Sequence, residues 1–248
     1  MHSSIIHNLT ILLESGAYGH SDSTESIVAM SPHKWRKLVS AAANMNIMRY
    51  IAAGAEHIKD NEAVPPALFM ELEKCGADKE MPAFDHTTAH LFNHWTQKKL
   101  DEVREEEMNS PNTSDETLTL LDYIIKNAEY IITQDTSIEG IVSMGCYIRN
   151  NKKHIDYNKL NSWLSGIGLV QTASMEGNML ISCMHFAAEE LPFVIKPFHR
   201  AQRLFMNSII KVFDKHSFST RTRLNVAMLE TVSHRFMSAI SLVTDIEE

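Results

Sequence analysis

The chain has 248 residues, a formal net charge of −8 and 44% apolar residues, values that exclude wholesale disorder. Nine glycines and seven prolines are too few for collagen-like, linker-rich or turn-dense all-β architectures. The three cysteines lie far apart in the sequence, which excludes a disulfide scaffold and a CxxC metal or redox site. Free cysteines favour the reducing cytoplasm, and the longest apolar run, residues 179–188, is too short to span a membrane.

Helix signals dominate the first 75 residues. Apolar residues from Ile5 to Leu13 form one helical stripe, with Gly16 as the predicted stop. Further helices are predicted over 32–45 after a Ser31-Pro32 cap, over 47–59 after an Asn46 cap, and from Pro65-Pro66 to Gly76. Residues 76–84 form a polar linker, so we predict one helical domain over 1–248 with a joint at 76–84 between residues 1–75 and 85–248.

The pattern continues after the linker, where Asp85 is predicted to cap a long helix that ends near Met108. Capping boxes at 113–116 and 136–139 begin two helices, Asp156 caps one that ends at Gly166, and residues 171–187, 199–215 and 220–245 are predicted helical. Only the connector 191–197 is strand-like, because two prolines extend it. The predicted fold class is all-α, an irregular bundle of about ten helices with no substantial sheet.

Three histidines, His86, His90 and His94, are spaced four residues apart on the predicted helix. Histidines one turn apart can share a metal ion, but His86 and His94 would be about 12 Å apart along the axis, so only one pair could bind it. The general base of an HExxH zinc site is missing, since position 87 is Thr. Structural packing is the alternative interpretation of these histidines.

Basic residues are concentrated in residues 196–224, which carry a net charge of +6 and leave −14 on the remainder. The candidates for binding an anion or an acidic partner are Arg200, Arg203, Lys211, Lys215, Arg221 and Arg223. The alternative is a solvated outer helix face, and the acidic chain as a whole disfavours nucleic-acid binding.

Methionine is frequent, with 14 residues that mostly occupy apolar helical positions. Core packing is the expected role, and an adaptable partner-binding groove is the alternative. The three tryptophans, Trp35, Trp95 and Trp163, are interpreted as packing anchors.

Parts of the chain resemble known bacterial proteins. The run from Leu12 to Gly19, with Trp35 and residues 41–55, is similar to the helical entry of an uncharacterised bacterial nucleotidyltransferase family. Residues 91–95, 118–132, 138–142, 156–164 and 191–193 resemble related bacterial helical proteins of unassigned function. Such nucleotidyltransferases hold Mg²⁺ with a D-x-D pair after a Gly-Ser turn, and this sequence contains neither element. The resemblance therefore implies a helical shell without the catalytic domain, and no catalytic residue carries over.

The sequence contains no phosphate-binding loop, dinucleotide fingerprint or hydrolase elbow. We therefore expect a non-catalytic interaction or accessory protein without a cofactor, a relic of or partner to a nucleotidyltransferase-like protein. It would dock an apolar or Met-rich helical surface onto a partner protein or a second copy, with the basic helix 199–215 attracting an acidic surface. The alternatives are a metal-dependent helical enzyme that uses the histidine pair, and anion or nucleic-acid binding through the basic helix. No membrane role is expected.

Overall fold

The computed structural model describes residues 3–19, 27–59, 61, 63–74, 84–133 and 136–213. Within these ranges the chain forms ten α-helices and one short 3-10 helix, Ala188–Glu190, and no strand. The prediction of an all-α multi-helix protein is confirmed. The chain divides into two compact units, with a boundary between Phe84 and Asp85. Most of the predicted joint and the predicted helix 220–245 lie outside the described residues and stay predictions.

The first unit is built from α1 (Ser3–Tyr18), α2 (Pro32–Asn44), α3 (Met48–His57) and α4 (Pro66–Lys74). The predicted start of α2 is confirmed, because Ser31 is extended and Pro32 occupies the first helical position. Asn46 does not cap α3. Its backbone is left-handed, with φ 60°, a conformation that Asn tolerates better than most residues, and it ends the turn before Ile47.

Gly16 does not end α1, which continues to Tyr18. The glycine instead lies where α1 meets α3. A Cβ atom at Gly16 would lie 1.7 Å from the Tyr50 carbonyl oxygen, and one at Gly54 would lie 2.0 Å from the Leu12 carbonyl oxygen. The two helices approach so closely that only hydrogen fits at both positions, so the predicted stop at Gly16 is wrong.

The second unit contains α5 (His94–Met108), α6 (Asp115–Thr133), α7 (Ile138–Asn151), α8 (Tyr157–Ile167) and α9 (Val170–Cys183). The last described helix, α10 (Ala201–Phe213), begins among residues of the second unit, and its residues from Met206 are grouped with the first. No helix in the described ranges combines the length and apolar character needed to cross a membrane.

One predicted cap of the second unit is confirmed, and another is displaced by one residue. Helix α7 is capped by Ser137, whose hydroxyl accepts from the Gly140 amide at 3.0 Å, and not by Thr136, the first residue of the predicted box. Asp156 caps α8 as predicted and accepts from the Asn158 and Lys159 amides. Helix α8 ends at Ile167, one residue later than predicted. Gly166 stays helical, and Gly168 is the C-cap in the left-handed conformation (φ 89°).

The start of α5 differs from the prediction. Asp85 does not cap a helix, because its carboxylate folds back to accept from the Thr87 amide at 3.0 Å and hydroxyl at 2.6 Å. These hydrogen bonds stabilise a local turn instead of the first turn of a helix. Asn93 is the true cap and accepts from the Trp95 amide at 2.9 Å, so the helix begins at His94.

Candidate functional site

The non-helical segment 85–93, which precedes α5, contains two of the predicted metal ligands. His86 is half-buried, and its ring stacks on that of Tyr123 with centroids 4.3 Å apart. His90 is exposed, and its Nδ1 lies 3.5 Å from the Glu129 carboxylate. His94 is exposed at the first position of α5. The three residues therefore do not share a helix, and the expected one-turn spacing is wrong.

The described residues hold no cluster of three His, Cys, Asp or Glu side chains placed to bind a metal. Stacking on Tyr123 and the approach to Glu129 give His86 and His90 separate surroundings. Metal binding by a pair of these histidines stays a prediction.

Arg104 on α5 fixes the segment 85–93 to the helices behind it. Its guanidinium donates to the Ala89 carbonyl at 3.1 Å and to the Asp122 carboxylate of α6 at 2.5 Å. Burial raises the pKa of Asp122, and the hydrogen bond and charge of Arg104 oppose that rise. One side chain therefore joins the segment, α5 and α6.

Gln97 holds the segment at a second point. Its amide oxygen accepts from the Leu91 backbone amide at 2.6 Å, and its amide nitrogen donates to Asp101 at 2.7 Å. Together with the stacked ring of His86, these contacts give the segment a defined course although it is not helical.

The segment leads into two large aromatic side chains that face water. Phe92 is 46% exposed and Trp95 is 66% exposed. The His90 ring lies edge-on to Phe92 at 5.2 Å, and the His94 ring lies edge-on to Trp95 at 6.1 Å. We refer to Phe92, His94 and Trp95 as the aromatic patch.

Trp95 was expected to be a packing anchor, and that interpretation is wrong for this residue. Leu100, the buried apolar residue of α5, is five positions later and therefore about 140° around the helix. Trp95 accordingly points away from the buried side. Trp35 is buried as expected, and Trp163 is half-buried.

The methionines of the second unit that the structure describes contribute mainly to the core. The fully buried ones are Met144, Met175, Met179 and Met184. Met108, at the end of α5, is exposed. The large apolar side chains exposed in the described part of this unit are therefore two aromatic residues together with Ile195 and a single methionine, Met108.

The structure describes half of the predicted basic residues. Arg200 is half-buried before α10, and Arg203 and Lys211 are exposed on it. Lys215, Arg221 and Arg223 lie outside the described residues. Binding of an anion by this set stays a prediction.

Sequence reasoning missed one further residue, Glu176, which is completely buried in α9. The signal was present, since Glu176 is the single charged residue in the otherwise apolar and small-residue stretch 172–183. A helix formed by such a stretch has no polar face, so an acidic side chain in its middle is expected to be buried.

In comparisons of the chain with protein-family models, with curated proteins and with solved structures, nothing matches.

Arg104 provides a test of how the segment 85–93 is held. We expect Arg104→Met to lower the free energy of unfolding by about 1–3 kcal/mol, because it leaves the partly buried Asp122 and the Ala89 carbonyl without their donor. Amide hydrogen exchange should also quicken at Leu91. Arg104→Lys keeps the positive charge but loses the planar guanidinium that donates to two acceptors at once, so its loss of stability should be intermediate. Equal stability and exchange in Arg104→Met and the wild type would contradict this account.

Proposed function

We propose that this protein is a non-catalytic interaction protein that docks a partner protein through the aromatic patch. The observation that carries the proposal is that Phe92, on the segment 85–93 that hydrogen bonds fix, and Trp95, in the first turn of α5, are both exposed. Tryptophan is enriched among the residues that dominate protein interfaces. Burying a large apolar side chain such as Phe92 contributes about 1.5–3 kcal/mol.

The fixed course of the segment supports docking. Binding loses affinity when a loop must be ordered, and a segment already held by Arg104 and Gln97 avoids most of that cost. The aromatic side chains themselves have few rotatable bonds, so fixing them in a complex costs little entropy. The arrangement thus favours a preformed docking surface over a segment that folds on binding.

The charges beside the patch indicate the partner's chemistry. Lys98 and Lys99 follow Trp95 by one helical turn and are exposed, and Lys98 pairs with Glu102 at 3.7 Å across the surface. An apolar pocket with carboxylates at its rim would complement Trp95 and these lysines. The basic helix 199–215 is proposed to attract an acidic partner over a longer range.

The resemblance described above adds a proposal about the partner's identity. A helical protein that lacks the Gly-Ser turn and the D-x-D pair could not hold the catalytic Mg²⁺ itself. We propose that it is an accessory subunit of a nucleotidyltransferase-like protein. We propose the cytoplasm as the site of action, because the three cysteines are few and widely spaced in the sequence and Cys183 forms no disulfide among the described residues. Association with a second copy is the alternative that the experiment below distinguishes.

The test compares the wild type with the double variant Phe92→Ser/Trp95→Ser, using each as bait in an extract of the source cell. We expect a partner that the wild type retains and the double variant loses. Ile195→Ser is the matched control, because Ile195 is another exposed apolar residue of the second unit and its loss should leave the partner bound. Light scattering of the pure proteins separates self-association from binding of another protein. A partner retained equally by all three proteins, or none retained by the wild type, would overturn the proposal.

A further inference from the structure

The core of the second unit contains a carboxyl group without a counter-charge. Glu176 is 0% exposed in the middle of α9, and neither of its carboxyl oxygens has a hydrogen-bond donor among the described residues. A buried ionised carboxylate without partners is very costly, whereas a neutral carboxyl needs only its hydrogen bonds. The Glu176 carboxyl must therefore either be protonated or accept a hydrogen bond from a donor.

A polar side chain close enough to hydrogen-bond with the Glu176 carboxyl belongs to Asn127 on α6, which is 1% exposed. The Asn127 amide nitrogen faces the Met144 sulfur at 3.8 Å, and the Asn127 amide oxygen has no donor among the described residues. The site thus combines three buried acceptor oxygens, two on Glu176 and one on Asn127, and lacks a hydrogen-bond donor for any of them.

We propose that the folded protein holds a proton on Glu176, which donates it to the Asn127 amide oxygen, so that the two residues form a buried proton-binding site between α9 and α6. A protonated carboxyl is itself an O–H donor, so one proton both removes the uncompensated charge and supplies Asn127 with its missing partner. Burial raises the pKa of Glu176 well above its ordinary value of 4.5, and only an Asn127 amide turned to donate to the carboxylate would oppose that rise.

The helices packed against α9 are α6, α7 and α8. Of their titratable side chains, Tyr123 on α6 and Glu139 on α7 are buried. The half-buried ones are Glu116, Asp122, Lys126, Glu129 and Tyr130 on α6, Cys146, Tyr147 and Arg149 on α7, and Tyr157 and Lys159 on α8. The cations in this set pair with other carboxylates: Lys126 with Glu129 at 2.9 Å, Arg149 with Glu190 at 3.8 Å and Lys159 with Glu107 at 2.6 Å. The pKa of Glu176 is governed by burial and by Asn127.

This proton makes stability depend on pH in a defined direction. A carboxyl with a raised folded-state pKa binds its proton more tightly in the folded than in the unfolded chain. Its stabilising contribution is complete below the unfolded value near 4.5 and declines as the pH rises toward the folded pKa. In that window the ratio of unfolded to folded protein should rise about tenfold per pH unit relative to Glu176→Gln, or about 1.4 kcal/mol.

Infrared difference spectroscopy of the full-length protein tests the proposal directly. At about pH 6, where an ordinary Glu is ionised, the wild type should show the carbonyl band of a protonated carboxylic acid. Glu176→Gln should lack this band, and Glu102→Gln, the same change at an exposed position, should retain it. If Glu176→Gln does not fold, carboxyl-labelled glutamate in the wild type should shift the band.

Two results would overturn the proposal. The first is the absence of an acid band in the folded wild type, which would mean that Glu176 is ionised and accepts from a reversed Asn127 amide. The second is a ratio of unfolded to folded protein that follows the same pH course in the wild type and in Glu176→Gln.

Discussion

Gly16→Ala is expected to destabilise the first unit by about 3–5 kcal/mol, more than the usual 1–3 kcal/mol for overpacking. The new methyl carbon would lie 1.7 Å from the Tyr50 carbonyl oxygen and 2.6 Å from the Gly54 amide nitrogen. Both are backbone atoms, so no side chain can rotate to make room and α1 must move away from α3. Denaturant unfolding gives the magnitude, and faster amide exchange in α1 and α3 gives the location.

Gly166→Ala is the matched control for this prediction. Gly166 also lies within a helix, α8, but a Cβ atom there would meet nothing within 4 Å. Because Ala has the higher helix propensity, Gly166→Ala should leave stability unchanged or raise it by up to about 1 kcal/mol. Similar losses in the two variants would show that the close approach of α1 and α3 is not the cause.

Lys159→Met is expected to cost about 2–4 kcal/mol in the second unit. The Lys159 ammonium donates to the nearly buried Glu107 carboxylate at 2.6 Å and to the Asn112 carbonyl at 2.7 Å. Removing one member of a buried ion pair typically costs about 3–5 kcal/mol. The Ser114 amide still donates to Glu107 at 2.7 Å, so the expected loss falls slightly below that range.

Two variants complete this test, with equilibrium unfolding as the measurement. Lys98→Met removes an exposed pair with Glu102, which should contribute only about 0–1 kcal/mol. Adding Glu107→Gln to Lys159→Met should recover part of the loss, because it removes the uncompensated charge. A loss in Lys159→Met no larger than that in Lys98→Met would contradict the role assigned to this ion pair.

The features that could be predicted from the sequence depend on neighbouring residues. Asp156 caps α8 as expected, because a short polar side chain reaches the amides two or three positions later. The helix predicted from the capping box 136–139 is also present, but Ser137 caps it in place of Thr136. The same local signal failed at Asp85, where the carboxylate forms an equally local turn with Thr87. The cap pattern alone does not distinguish a helix start from such a turn.

The features that could not be predicted depend on contacts between distant residues. Gly16 matched the pattern of a helix stop. Its role is to allow the close contact of α1 with the backbone of α3 at Tyr50 and Gly54, which are far from it in the sequence. The sequence pattern favoured a buried Trp95. Because α5 begins only at His94, the Trp95 side chain instead points to solvent. The aromatic patch was missed because the start of one helix was predicted wrongly. Helix α5 begins eight residues later than predicted, so the histidines separate and Trp95 faces water.

The most direct test of the docking surface is site-specific photo-crosslinking in the cell that makes the protein. A photoreactive phenylalanine analogue replaces Trp95 in one protein and Asn158, an exposed polar residue of α8, in another. We predict one discrete adduct from position 95, none of the same mass from position 158, and loss of the adduct when Phe92→Ser is added. No adduct from position 95, or the same adducts from both positions, would contradict the proposal that the aromatic patch docks a protein.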